Sequence, residues 1–157
     1  MLKLDNGFSC DTLELAWHNN ERGKSCIKPG PGERPETYLG RVWWSPMLKR
    51  PVIRFDDKND RKDCLVHNGN FAADTKDLDG DGIAEVTQVH GCTEVGHGYG
   101  DIQRRDGKMQ WGIRVSGATL AGLIESLRDE SEEAGHADVN GFLSGYHQVE
   151  ITYSWGG

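Results

Sequence analysis

The chain has 157 residues, a length that fits a single domain spanning 1–157. Hydrophobic residues make up 36% of it without counting the 21 glycines, so the composition is that of a globular protein rather than a disordered one. A formal net charge of -7, with only short basic clusters, argues against a nucleic-acid partner.

No export or membrane signal is evident in the sequence. No apolar run approaches the ~20 residues of a membrane span, and the first residues lack the basic and apolar regions of a secretory signal. We therefore expect a monomer made in the cytoplasm, without membrane insertion. The even number of cysteines permits disulfides, but without an export signal reduced thiols are favoured at Cys10, Cys26, Cys64 and Cys92.

The glycine content is about twice the average for proteins, which indicates many turns and short strands and hence a mainly β fold. The prolines and glycines of residues 28–35 predict a loop between the first two strands. The predicted strands, in chain order, are Phe8 to Trp17, Glu36 to Trp44, Pro51 to Asp56, Cys64 to His67, Thr93 to Val95, Met109 to Val115 and His147 to Tyr153.

An aspartate- and glycine-rich segment, DLDGDGIAE at residues 77–85, predicts a calcium loop. Its spacing is that of DxDxDG loops such as those of EF-hands, in which oxygen ligands surround one Ca²⁺ and a glycine allows the tight turn. The ligands would be Asp77, Asp79, Asp81, the carbonyl of Ile83, and Glu85. Gln88 stands where an EF-hand has its bidentate glutamate, so flanking helices are not implied. The alternative is a polar surface turn.

A histidine and a cysteine on either side of this loop suggest a catalytic site. His67 opens the segment HNGN, and Cys92 follows His90 and Gly91. A thiol attacks as a thiolate, a nearby imidazole can accept its proton, and the amides of Gly91 and Cys92 can face a developing oxyanion. The alternative is a core histidine and a buried cysteine without chemistry.

One helix is predicted near residues 117–134, with Ser116 as its N-cap. Its apolar face would consist of Leu120, Leu123, Ile124 and Leu127. Gly135 can close the helix, while the acidic residues of 129–133 stand at the end where the helix dipole disfavours anions. We therefore expect the last turns to fray.

Short segments along most of the chain resemble the phage and bacterial domain-of-unknown-function family 5675. They occur in the expected order and include CDTLE at 10–14, CIKPG at 26–30, VHNGN at 66–70 with DT at 74–75, GC at 91–92 with VG at 95–96, Ser116, and VEI at 149–151. Residues 76–90, which contain the predicted calcium loop, form an insertion relative to the family.

The central part is also similar to the catalytic signature of L,D-transpeptidases, a histidine followed by Ser/Thr-His-Gly-Cys. The resemblance implies that Cys92 is the nucleophile, that His67 is its general base, and that His90 and the Gly91–Cys92 backbone support the site. It also implies a mainly β, barrel-like or sandwich domain. Val89 replaces the Ser or Thr of that signature.

A competing interpretation uses some of the same residues as zinc ligands. His67 and Asp74 are spaced like the first ligand pair of zinc D,D-carboxypeptidases, although the Glu and His around a Trp of that family are not evident. The remaining ligands would come from His90, Cys92, His97 or His147.

Together with the His–Cys pair, these resemblances imply a cysteine peptidase, similar to phage endolysins, that acts on the peptide stems of bacterial peptidoglycan. It would reach the cell wall after release from the producing cell, and bound calcium would stabilise or regulate it. Hydrolysis and transpeptidation both remain open. The non-enzymatic alternative is a phage structural or wall-binding module stapled by calcium.

Overall fold

The computed structural model describes residues 1–15, 19, 21, 25–27, 36–58, 61–72, 87–88 and 90–153. Within them the chain forms strands and one helix: β1 (Leu2–Lys3), β2 (Ser9–Leu13), β3 (Glu36–Ser45), β4 (Arg50–Phe55), β5 (Leu65–His67), β6 (Thr93–Gly96), β7 (Tyr99–Gln103), β8 (Met109–Ile113), α1 (Ser116–Ser126) and β9 (Val149–Tyr153). No helix in these residues is long and apolar enough to cross a membrane.

Seven strands form one nearly closed, barrel-like sheet in the order β1-β2-β6-β5-β4-β3-β9. Neighbouring strands are antiparallel except for β5 and β6, which run parallel. A hydrogen bond of 2.7 Å between the Thr93 and Tyr153 hydroxyls joins β6 to β9, although these strands are far apart in the sheet order. Strands β7 and β8 form a separate hairpin. The prediction of a mainly β, barrel-like domain with one helix is confirmed.

Strand β3 illustrates how the sequence produces this sheet. Tyr38, Gly40 and Val42 are buried, while the residues between them are exposed, because successive side chains of a strand point to opposite faces. A side chain at Gly40 would lie 2.6 Å from Cγ2 of Ile53 on the paired strand β4. Glycine therefore lets Ile53 fill the core at this position.

The parallel pairing of β5 and β6 places the two halves of the predicted site side by side. Val66 pairs with Thr93, and His67 pairs with Glu94. The chain between these strands contains residues 73–86 and 89, which lie outside the described residues. Asp74, the ligands predicted at 77–85 and the bounds of the proposed insertion at 76–90 therefore stay predictions.

The helix begins where it was predicted but is capped differently. Val115 occupies the N-cap position with a left-handed backbone (φ 56°), and no side chain caps the helix. Ser116 is instead the first helical residue, and its hydroxyl accepts a hydrogen bond of 2.9 Å from the Gly69 N–H. The prediction of Ser116 as N-cap is wrong, because this serine is used to join the helix to the segment after β5.

The predicted end of the helix is also wrong, since α1 stops at Ser126 rather than near residue 134. Beyond it, the Asp129 carboxylate accepts hydrogen bonds from the backbone N–H and the hydroxyl of Ser131, which stabilises a turn. The cluster of acids at 129–133 is disfavoured at a helix C-terminus, so a turn is the better structure here. Gly135 has φ 94° but belongs to this later turn region.

Two further strands were not predicted. β1 has only 2 residues, too few for a periodic pattern. In β7 the outward-facing Tyr99, Asp101 and Gln103 are exposed and the residues between them only half-buried, so no apolar alternation marks the strand. β2 ends at Leu13, earlier than the predicted Trp17, and residues 16–18 lie outside the described part of the chain.

Candidate functional site

The predicted catalytic side chains open into one cavity of about 400 Å³. The turn between β3 and β4 forms an apolar wall of this cavity, and the residues preceding β5 and β6 form another. The described lining residues are Trp43, Ser45, Pro46, Met47, Leu48, Arg54, Arg61, Lys62, Asp63, Cys64, Leu65, His67, Gln88, His90 and Cys92. Cys92, His67 and His90 thus line the same cavity.

The strand register explains why His67 and Cys92 share the cavity. His67 ends β5 opposite Glu94, and Cys92 stands two residues before Glu94. Alternate residues of a strand face the same side, so the three side chains project from one face. If the strand geometry of β6 extends back to Cys92, ideal strand spacing and rise give a separation of about 8 Å between the Cα atoms of His67 and Cys92.

His67 has the protonation state that a general base needs. Its side chain is buried, and its Nδ1 lies 2.7 Å from the backbone carbonyl oxygen of Asn68. A carbonyl can only accept, so Nδ1 carries the proton and Nε2 keeps its lone pair. Burial lowers the pKa of His67, which keeps the ring neutral at neutral pH.

Cys92 is a protonated thiol in the resting structure. Its side chain is partly exposed, and its sulfur lies 3.9 Å from the carbonyl oxygen of Asp63. Burial raises the pKa of Cys92 to about 11. Within the described residues, neither the thiol nor the His67 ring has the other as a hydrogen-bond partner. The structure therefore holds no preformed ion pair between Cys92 and His67.

Arg61 is a feature of the site that sequence reasoning missed. The side chain is buried, and its guanidinium donates to the carbonyl oxygens of Ser25 (3.1 Å), Cys26 (3.3 Å) and Gly91 (3.1 Å). Gly91 has φ 89°, and a side chain there would collide with the guanidinium. Arg61 thus holds the turn that leads into Cys92. It stands in the polar run DKNDRKD, which resembles a surface loop and gives no signal of this role.

The HNGN segment after β5 is tied to the helix and to β8 by its polar groups. The N–H of Gly69 donates to Ser116, and the Asn70 side-chain amide donates to the Ile113 carbonyl oxygen over 2.7 Å. The N–H of Asn70 donates to the side-chain oxygen of Gln88, just before His90. These contacts fix the position of His67 and of the segment that returns toward Cys92.

Glu94 is an unexpected buried acid beneath the site. Its side chain is fully buried, and neither carboxyl oxygen has a hydrogen-bond partner among the described residues. Burial raises the pKa of Glu94 to about 8, so the carboxyl group is mostly neutral at pH 7. The carboxyl group packs against Gly69, where no larger residue would fit.

The zinc interpretation gains no geometric support from the described residues. Within them, no group of three His, Cys, Asp or Glu side chains is arranged to hold a metal ion. His97 and His147 do not line the cavity, and His147 instead lies 3.7 Å from the Asp129 carboxylate. Asp74 and the predicted calcium ligands lie outside the described residues.

All four cysteines are free thiols. Cys10, Cys26 and Cys64 are buried, whereas Cys92 is partly exposed. Burial raises the pKa of each of the three buried thiols. Cys64 also lines the cavity, which makes it a useful comparison for Cys92.

Comparison with known proteins identifies no relative. No protein family, no curated protein and no solved structure matches this chain. The resemblances described from the sequence therefore stay predictions.

Proposed function

We propose that this protein is a cysteine peptidase that cleaves the peptide stems of bacterial peptidoglycan. The observation that carries the proposal is the shared cavity, into which the Cys92 thiol and a neutral His67 both open. A nucleophile and a base on adjacent strands are the minimum that acyl transfer requires. The similarity of the His67 and HGC segments to the L,D-transpeptidase signature supplies the substrate class.

In the proposed mechanism, the Cys92 sulfur attacks a peptide carbonyl carbon while Nε2 of His67 accepts the thiol proton. The oxyanion that forms collapses, the C–N bond breaks, and the imidazolium returns the proton to the leaving amine. Water then attacks the thioester with His67 as base, which releases the acid and regenerates the thiol. An amine in place of water would complete a transpeptidation.

Cys92 is protonated at rest, so the proposed mechanism transfers its proton to His67 during the attack. It does not use a thiolate–imidazolium pair formed beforehand. At neutral pH, a pKa of about 11 leaves only a small thiolate fraction. Arg61 opposes this effect, because its positive charge lowers the pKa of Cys92. Hydrogen bonds in a catalytic site commonly tighten when substrate binds, so the resting separation of the two groups is compatible with catalysis.

Digestion of purified peptidoglycan tests the proposal. Cys92→Ala should abolish the release of peptide products and leave the thermal midpoint unchanged. Cys64→Ala is the matched control, since Cys64 lines the same cavity without a proposed role. Full activity in the Cys92 variant would overturn the cysteine mechanism.

A second candidate is the non-enzymatic, calcium-stapled phage structural or wall-binding module. The raised pKa of Cys92 favours it, because inert structural thiols also have raised pKa values. Binding of the protein to intact cell walls, without any product from either wild type or variants, would support this candidate instead.

A further inference from the structure

We propose that Arg54 binds a free carboxylate of the substrate, so that the peptides taken by this cavity end in a C-terminal carboxylate next to the bond that is cleaved. The inference rests on the proposed function and narrows it to the removal of a terminal residue. It follows from the position, the fixed orientation and the charge of Arg54.

The sheet register places Arg54 and Cys92 in one row. Arg54 pairs with Leu65 across β4 and β5, and Val66 pairs with Thr93 across β5 and β6. Leu65 and Cys92 immediately precede that second pair, so they lie side by side. Two strand spacings put the Cα atoms of Arg54 and Cys92 about 10 Å apart. An arginine side chain and one terminal residue span this gap, since one residue extends by about 3.5 Å.

Arg54 is held in place before any ligand binds. Its guanidinium carbon lies 5.1 Å from the centre of the Trp43 ring, and Nη2 donates to Oδ1 of Asp63 over 2.7 Å. Trp43 is itself anchored, because its ring N–H donates to the Asn140 carbonyl oxygen over 2.8 Å. A guanidinium oriented in this way binds with little loss of conformational entropy.

The guanidinium has donors left for a ligand. An arginine carries five N–H donors in a planar fork, and the bond to Asp63 uses one of them. The side chain is 26% exposed and lines the cavity, so a ligand in the cavity can contact the guanidinium. A carboxylate is the planar acceptor that matches this fork.

The charge of the cavity is complementary to an anion. Its described lining residues include the cations Arg54, Arg61 and Lys62 but a single acid, Asp63. Counting these arginine, lysine and aspartate side chains alone, there is an excess of two positive charges, in a chain whose net charge is -7. The described part of the cavity lining is therefore positive on an acidic protein, and positive charge attracts and orients carboxylates.

The test compares two synthetic stem peptides that differ only at the C-terminus, one a free acid and the other an amide. Calorimetric titration into the Cys92→Ala variant measures binding without turnover. We expect the acid to bind at least about 10-fold more tightly than the amide, as for a charge-assisted hydrogen bond. Equal affinities would overturn the inference.

Substitutions at Arg54 test whether its guanidinium causes the preference for the free acid. In the same background, Arg54→Met should remove the preference for the acid, and Arg54→Lys should reduce it. Arg41→Met is the matched control, because Arg41 pairs with Arg54 across β3 and β4, contacts Asp56 and lies over Phe142 outside the cavity. A preference that survives Arg54→Lys and Arg54→Met unchanged would contradict the assignment.

Cleavage by the wild-type protein separates this inference from the proposed function. Hydrolysis of both peptides at equal rates would support the peptidase and overturn the carboxylate site. Selective binding of the acid without cleavage of either peptide would support the carboxylate site and overturn the peptidase.

Discussion

At the scale of single residues, the ionisation of Cys92 decides how the site can work. Because burial raises the pKa of its thiol to about 11, the thiolate fraction grows about tenfold for each pH unit up to that value. We expect the rate of Cys92 alkylation by iodoacetamide to rise in this way from pH 7 to 9 without a plateau. Mass spectrometry of the Cys92 peptide measures the rate. A plateau already at pH 7 would instead indicate a preformed ion pair with His67.

The raised pKa of Glu94 predicts a pH dependence of the free energy of unfolding that is opposite in sign to that of most acids. Burial raises its pKa from 4.5 to about 8, so the unfolded chain releases this proton at lower pH than the folded one. The folded state therefore loses stability relative to the unfolded state as the pH rises from about 4.5 to about 8, and the loss is then constant.

The isosteric variant Glu94→Gln removes this ionisation. We expect it to match the wild type near pH 4 and to unfold with a free energy on the order of 2–4 kcal/mol higher at pH 8. Urea denaturation at both pH values measures the difference. If the Glu94→Gln variant and the wild type were equally stable at pH 8, the pKa of Glu94 would lie near its ordinary value of 4.5.

At the scale of elements, α1 stabilises the site through one hydrogen bond. Ser116→Ala removes the acceptor of the Gly69 N–H, which is buried, so we expect a loss of about 1–2 kcal/mol in the free energy of unfolding. Exchange of the Gly69 amide hydrogen should also become faster. Ser126→Ala is the control, since its hydroxyl bonds to the Leu123 carbonyl within the same helix. Unchanged protection of Gly69 in the Ser116 variant would contradict this role.

The same helix shows which parts of the fold the sequence could predict. The apolar spacing of Leu120, Leu123 and Ile124 predicts its buried face correctly, because that face depends on local periodicity. The role of Ser116 depends on Gly69, which is 47 residues away in the chain, and no local pattern contains that information. The early end of α1 results from competition with the turn at Asp129, which helix periodicity does not weigh.

Some residues of the candidate site could likewise be predicted from the sequence, and others could not. His67 and Cys92 could be selected from their residue types and short motifs, and the parallel pairing of β5 and β6 then brought them to one cavity. Arg61 could not be selected, because its importance comes from three carbonyl groups on two other segments. The protonation of Cys92 likewise depends on burial, which the sequence does not specify.

At the scale of the whole molecule, calcium binding to the predicted loop would affect both the stability of the fold and the geometry of the site. The chain leaves His67 at the end of β5, passes through residues 77–85 and returns to Cys92. An ion that binds the folded state alone stabilises it, by about 2.7 kcal/mol at a concentration 100 times its dissociation constant. Because this segment connects β5 to β6, calcium bound there would also act on the geometry of the cavity between them.

We therefore expect millimolar Ca²⁺ to raise the thermal midpoint and to change the alkylation rate of Cys92. Asp79→Asn with Asp81→Asn should abolish both effects, because two of the predicted carboxylate ligands are lost. Asp138→Asn is a control acid on an exposed turn elsewhere in the chain, and Mg²⁺ is the control ion. A shift of the thermal midpoint without a change in Cys92 reactivity would mean that calcium stabilises the fold without acting on the site. No shift of the midpoint would contradict the predicted calcium loop.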